Sequence, residues 1–267
     1  MERGKRTMHA RLAYPSAISA LVLAMAHTAW GTPSTTYWTP ATMDVQAFLV
    51  PHVTLDNYFT VAEKGTGSQG QAFPTDLGLT MGVLPFESLN MEVGFDWLEP
   101  TDHPLSFNAK VGIPEQTLFY ESPAVNLGIF GIGTETSGTD RTDLNIAHLL
   151  LGKTIPYVGR LHASYYVGNK PALQLGDSGR DYHGFMVAYD RWLIKDRLML
   201  AADYASGENA LGGGGVGMYL FFTPRISLLA GPVWFNDRSI NGSMKWTTQL
   251  DVNFDLRDFW PFGQPRT

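Results

Sequence analysis

Segments in which apolar and polar residues alternate dominate the chain after residue 31, and this pattern limits the folds it can adopt. Leu89–Leu98 (LNMEVGFDWL) and Lys245–Phe254 (KWTTQLDVNF) are the clearest examples. A period of two is that of a β-strand with one apolar and one polar face. A shift of one residue would bring acidic side chains onto the apolar face, so the pattern also fixes the register of each strand.

Twelve such segments follow one another, separated by Gly, Pro, Asn, Asp and Ser. An even number of alternating segments predicts an all-β fold, a transmembrane up-and-down antiparallel β-barrel of about twelve strands. The segments are Met43–Val61, Thr75–Val83, Leu89–Leu98, Leu105–Val111, Ala124–Gly131, Leu144–Lys153, Arg160–Val167, Tyr182–Trp192, Arg197–Tyr204, Gly214–Phe222, Ile226–Trp234 and Lys245–Phe254.

The connections between these segments alternate in length. The odd-numbered ones are polar and rich in Gly, as in Ile132–Asp143, whereas most even-numbered ones are tight, as in Thr223–Arg225; Gly112–Pro123 is an exception. Short turns on one side and longer loops on the other are typical of membrane barrels. The alternative is a soluble secreted β-sandwich, which has no reason to separate its loops by length and would bury Phe95, Trp97 and Leu250.

Aromatic residues gather near the ends of the predicted strands. Amphipathic rings favour the level of the lipid headgroups, so the pattern indicates two interfacial girdles. The residues are Trp97, Trp192, Tyr204, Phe221, Phe222, Trp234, Trp246 and Phe254.

The first 31 residues differ from the rest. A basic start that includes Arg3 and Arg6 precedes a short apolar run, Ala17–Ala26, and Ala29-Trp30-Gly31 then offers small residues at a cleavage site. These features predict a secretory signal peptide over residues 1–31, followed by a barrel over 32–254 and a tail over 255–267. A cut after Ala26 is the alternative.

The charge balance and the lack of cysteine exclude several functions. The chain has 25 Asp and Glu against 19 Lys and Arg, and removal of a basic leader would make it more acidic. We therefore expect no nucleic acid partner, since phosphate binding needs clustered basic residues. The absence of cysteine rules out thiolate catalysis and cysteine-bound metals.

The leader, the alternating strands, the loop pattern and the strand that ends at Phe254 together resemble bacterial outer-membrane β-barrels of the porin and small-channel kind. The stretch Asp203–Trp234 is similar to a paired hairpin found in porin-like proteins. The resemblance implies a bacterial outer-membrane location, contact with outer-membrane lipid and with the barrel-insertion machinery, and passive diffusion of small hydrophilic solutes or ions without a cofactor. The residues after Phe254 depart from the terminal aromatic residue that such barrels carry.

Charged residues on the less apolar strand faces are the predicted pore lining, because a Lys or Arg that faces lipid near the midplane costs roughly 2–4 kcal/mol. Twelve strands are intermediate between a filled barrel and a wide channel, so both a pore and a plugged barrel remain open. An excess of acids predicts a preference for cations. The candidates are Asp76, Glu92, Asp96, Lys110, Arg160, Asp190, Arg197, Asp203 and Asp251.

A barrel enzyme that acts on lipid is the other alternative. His162 and Ser164 share one face of a predicted strand, but side chains two residues apart on a strand stand roughly 7 Å apart, which is too far for a nucleophile and its base. No spacing of ligands indicates a metal site. We therefore expect no catalytic residue and no metal.

Overall fold

The computed structural model describes residues 35–61, 73–138, 141–174, 181–242 and 244–259. The predicted signal peptide, its cleavage site and the end of the tail lie outside the described residues. In the described part of the chain, helices are few and short, and none has the length and apolarity needed to cross a membrane.

Twelve antiparallel strands form one closed barrel, in which each strand pairs with its neighbours in sequence. The ring closes where β1 pairs with β12, from His52 opposite Asn253 to Thr60 opposite Lys245. The elements are β1 (Pro51–Thr60), β2 (Thr75–Gly82), β3 (Asn90–Glu99), β4 (Leu105–Ile113), β5 (Ala124–Gly133), β6 (Asp143–Ile155), β7 (Gly159–Val167), α1 (Lys170–Leu173), β8 (His183–Ile194), β9 (Leu198–Ala205), β10 (Gly213–Thr223), β11 (Ile226–Phe235), α2 (Arg238–Asn241), β12 (Lys245–Asn253) and a 3-10 turn at Leu256–Asp258.

The strand faces confirm the predicted barrel and exclude the sandwich. Phe95, Trp97 and Leu250 are 37%, 41% and 37% exposed on the outer surface, whereas a sandwich would bury them. An apolar exterior around a polar interior is the arrangement of a barrel that spans a bilayer. Two of the predicted girdle residues differ. Trp192 pairs with the buried, inward-facing Met199 and so shares its face. Phe221 is buried inside the barrel. The alternation places its neighbour Phe222 outside instead.

The two ends of the barrel differ in their connections. At the short-turn end lie the start of β1, the end of β12 and the turns 156–158, 195–197 and 224–225, together with the longer connections 83–89 and 114–123. The opposite loop end carries the connections 61–74, 100–104, 134–142, 168–182, 206–212 and 236–244. The predicted alternation of loop length is therefore present.

Residues 35–50, which we call the luminal segment, lie inside the barrel and correct the prediction that the first strand begins at Met43. The wall strand β1 begins only at Pro51. Of the luminal segment, only Phe48 forms a β-bridge to the described wall, with Gly82. Leu49 has a φ of 59°, and this left-handed conformation lies where the chain passes from the lumen into the wall.

Candidate functional site

The lumen contains a cavity of about 180 Å³ between the luminal segment and the wall formed by β1 to β6 and β12. Thr35, Trp38 and Pro40 line it on the side of the luminal segment. Five of the nine predicted pore-lining residues meet at this cavity. They are Asp76, Glu92, Asp96, Lys110 and Asp251.

The negative charge of Glu92 is compensated by neighbouring groups. Lys110 Nζ lies 3.0 Å from Glu92 Oε1, and both side chains are almost fully buried. The backbone N–H of Gln46 donates to Glu92 Oε2 at 2.6 Å. A buried carboxylate with an ion pair and a backbone donor contributes little net field to the cavity, so Glu92 serves mainly to hold the luminal segment.

Arg160 and Asp190 hold the same segment nearer the short-turn end. Arg160 donates through two nitrogens to Asp44, at 2.7 and 2.8 Å, and through Nε to Asp190 at 2.7 Å. His162 Nδ1 accepts from the backbone N–H of Met43 at 3.1 Å, so its Nε2 carries the proton that faces Asp190 Oδ2 at 3.0 Å.

The Asp44 carboxylate is kept ionised in this network. Burial acts to raise the pKa of Asp44, but the charge and hydrogen bonds of Arg160 outweigh it and hold the pKa below its ordinary value. The ion pair with Arg160 is therefore formed at neutral pH.

The remaining predicted residues have separate roles. Asp203 binds the backbone of the luminal segment, as described below, and Asp251 lies 3.4 Å from His52 Nε2 and accepts from Ser227 Oγ at 3.1 Å. Arg197 does not lie in the lumen. It is exposed in the turn before β9, where its guanidinium donates to the carbonyl oxygen of Phe222 at 3.2 Å.

Three acids at the cavity have no cationic partner among the residues that the structure describes. Asp56, Asp76 and Asp96 take part in none of the ion pairs among the described residues, and Asp76 Oδ1 is buried without a hydrogen-bond partner there. Asp56 stands opposite Asp76 across the β1–β2 pair, and Asp96 stands opposite Gly78 on the next pair. Directly opposed residues have their Cβ atoms about 5 Å apart. We call these three residues the acid triplet.

Asp56 is the member of the acid triplet that the sequence prediction missed. Two of its luminal neighbours in sequence, His52 and Thr54, line the same cavity. The alternation His52, Thr54, Asp56 would have revealed it, had the first strand been assigned its true start.

The geometry around Ser164 is that of a structural hydroxyl. Ser164 Oγ donates to the carbonyl oxygen of Leu149 at 2.9 Å, and its separation from His148 Nδ1 is 3.4 Å. His162 is occupied by Met43 and Asp190. In the described part of the chain, His, Asp and Glu side chains form no group that could hold a metal ion.

Comparison with known proteins shows likeness only to solved structures. No known protein family and no curated protein sequence matches the chain. An outer membrane channel from Pseudomonas putida F1 is 10% identical and matches over 84% of this chain and 99% of that one, with a TM-score of 0.46. The KdgM porin is 10% identical over 77% and 99%, with a TM-score of 0.45. A variant of the Rh. blastica porin is 9% identical over 67% and 55%, with a TM-score of 0.38.

Proposed function

We propose that this protein is a channel of the bacterial outer membrane that conducts ions and small hydrophilic solutes with a preference for cations. The single observation that carries the proposal is the cavity beside the luminal segment, into which the acid triplet faces. No cofactor and no chemical step enters this function.

The preference for cations follows from which luminal charges are compensated. Lys110 faces Glu92, and Arg160 is shared between Asp44 and Asp190. Asp203 is covered by backbone N–H groups of Tyr37, Trp38 and Thr39, and Asp251 lies beside His52 Nε2. At the cavity the acid triplet is therefore left as the main source of a net field. Carboxylates in a narrow tube with low-dielectric walls raise the local concentration of cations and repel anions.

The luminal segment limits the size of the solute. It crosses the lumen from Trp38, whose indole donates to the carbonyl oxygen of Leu211 at the loop end, to Gln46, which is bound by Glu92 near the short-turn end. In membrane barrels the short turns face the periplasm. We therefore place the start of β1 and the foot of the luminal segment on the periplasmic side.

The test is a recording from the full-length mature protein refolded into planar bilayers with a salt gradient. We expect small, steady conductance steps and a reversal potential of the sign that a cation-permeable pore gives. Liposome swelling should admit small solutes and exclude large ones. Absence of conductance in the wild-type protein, or a reversal potential of the opposite sign, would contradict the proposal.

A further inference from the structure

We infer that the luminal wall formed by β9 to β12 is a binding site for residues Thr36–Thr39 of the same chain, and that release of these residues from the site widens the pore. The inference rests on the proposed function, because it assigns a regulatory site within the same lumen. Four sets of contacts carry it.

The first set is made by Asp203, a residue that is 6% exposed. One of its oxygens, Oδ2, accepts from the backbone N–H groups of Tyr37, Trp38 and Thr39 at 3.1, 2.8 and 2.6 Å, and from Thr39 Oγ1 at 2.9 Å. Three successive backbone donors that converge on one anion form a nest. Asp203 thus recognises the local chain conformation of the luminal segment. Its other oxygen, Oδ1, is buried without a hydrogen-bond partner among the described residues.

The second set is a slot for the ring of Tyr37. A Cβ atom added to Gly215 or Gly217 would lie 2.3 or 2.5 Å from ring atoms of Tyr37, and one added to Gly231 would lie 2.7 Å from its hydroxyl oxygen. The hydroxyl donates to the carbonyl oxygen of Pro232 at 3.1 Å, and Tyr37 is only 1% exposed. The absence of side chains at three positions of β10 and β11 creates a recess that this ring fills.

The third set fixes the two neighbours of Tyr37. Trp38 packs edge-on against Tyr58 and Phe235, with ring centroids 5.5 and 5.3 Å apart. Tyr219 donates its hydroxyl to the carbonyl oxygen of Thr36 at 3.2 Å, and Gln249 donates to the carbonyl oxygen of Tyr37 at 3.1 Å. The wall therefore contacts both polar backbone groups and side chains over four consecutive residues.

The fourth set explains why these residues can leave while the rest of the luminal segment stays. The foot of the segment is continuous with β1 and is held by the Asp44–Arg160 ion pair and by the Gln46–Glu92 bond. Thr36–Thr39 form no β-ladder with the described wall, and their own backbone bond, Thr36 N–H to Thr39 O at 3.1 Å, is internal. Release therefore breaks no pairing between barrel strands.

The experiment compares full-length variants in planar bilayers and in liposome swelling. Tyr37→Ala empties the slot without changing a residue of the barrel wall, and Asp203→Asn keeps the shape of that side chain but removes its charge. Both should raise the single-channel conductance several-fold and admit solutes that the wild-type protein excludes. Tyr37→Phe, which keeps the ring, should stay close to the wild type. Tyr37→Ala leaves every luminal charge in place, so widening common to Tyr37→Ala and Asp203→Asn cannot result from loss of charge.

The outcomes separate this inference from the proposed function. Wild-type conductance with no widening in either Tyr37→Ala or Asp203→Asn would overturn the inference and leave the proposed function intact. If the wild-type protein does not conduct but the variants do, the inference is supported, and the proposal that the wild-type channel is open is contradicted. Widening in Asp203→Asn with none in Tyr37→Ala would also overturn the inference, because loss of charge alone would then explain the effect. Heat-dependent migration of each variant on a gel verifies that its barrel is closed.

Discussion

Replacement of the acid triplet by asparagine (Asp56→Asn, Asp76→Asn, Asp96→Asn) should remove most of the preference for cations. The structure supplies the number of acids, and Coulomb's law supplies the magnitude. A monovalent cation about 6 Å from one carboxylate gains about 0.7 kcal/mol in a water-like medium. The three acids repel one another and do not all ionise at once. Two charges give about 1.4 kcal/mol, which corresponds to a roughly tenfold higher local cation concentration. Screening at about 0.1 M salt acts over about 10 Å and reduces this value.

The matched control removes one acid and one base that face each other. Glu92→Gln with Lys110→Met deletes the pair whose charged atoms lie 3.0 Å apart, and it leaves the net luminal charge unchanged. Reversal potentials in a potassium chloride gradient give the permeability ratio of each protein. We expect the triple variant to lose most of its cation preference, by roughly tenfold, and the paired variant to stay within about twofold of the wild type.

Two results would refute this reasoning. One is a triple variant with wild-type selectivity. The other is a paired variant whose selectivity changes more than that of the triple variant, because the compensated pair would then set the field of the pore. A cation preference that weakens as salt rises is expected in the wild type, and a preference independent of salt would assign the selectivity to pore size instead.

Four further predictions follow from the closed barrel, the predicted leader and the luminal ion pairs. Unboiled protein should migrate differently from boiled protein in SDS, because a closed barrel leaves no strand edge unpaired; identical migration would contradict a closed barrel. Mass spectrometry of outer-membrane material should find a mature start between about residues 27 and 32, and an intact Met1 would contradict export by a cleaved leader. Because the pKa of Asp44 is lowered in the folded protein, its ion pair contributes stability above the unfolded carboxyl pKa of about 3.9, and this contribution is lost as the pH falls through the folded value. The urea midpoint of the wild type should therefore drop in that acid range more than that of Asp44→Asn, and parallel curves would contradict the assignment. Arg160→Met should lower the free energy of urea unfolding by on the order of 3–5 kcal/mol, since it leaves Asp44 and Asp190 without their cation. Arg225→Met is the control: it removes an exposed pair with Asp258 and should cost about 1 kcal/mol or less. Equal losses in the two variants would contradict this prediction.

The wall of the barrel could be predicted from the sequence because each strand carries its own evidence. Leu89–Leu98 and Lys245–Phe254 differ by about one residue from β3 and β12, and most of the other predicted segments lie similarly close to the observed strands. Alternation with a period of two is a local property, and the outer face of every strand must be apolar in lipid. Even Leu144–Lys153, with its run of three leucines, lies within β6.

The luminal segment could not be predicted in the same way. Residues Met43–Val50 (MDVQAFLV) mix apolar and polar side chains like a strand, and period alone does not say whether an extended chain joins the wall or lies inside it. The pairing of the luminal charges could not be predicted from the sequence either. Glu92 and Lys110 oppose each other only through the β3–β4 register, and Asp203 meets Tyr37 across 166 residues of chain. Such pairings depend on the closed barrel.

That long separation has a consequence for how the molecule assembles. The recess for Tyr37 is made from β9, β10 and β11, and Gln249 of β12 completes it, 212 residues after the residue that it binds. Bringing such distant residues together costs loop-closure entropy, which the contacts offset only once the intervening chain is ordered. The earliest part of the lumen in sequence is therefore the last to find its place in time. Thr36–Thr39 can bind their site only after the final strands have joined the barrel. In a chain whose folding stops before β12 pairs, this amino-terminal segment therefore stays unbound and exposed to proteases.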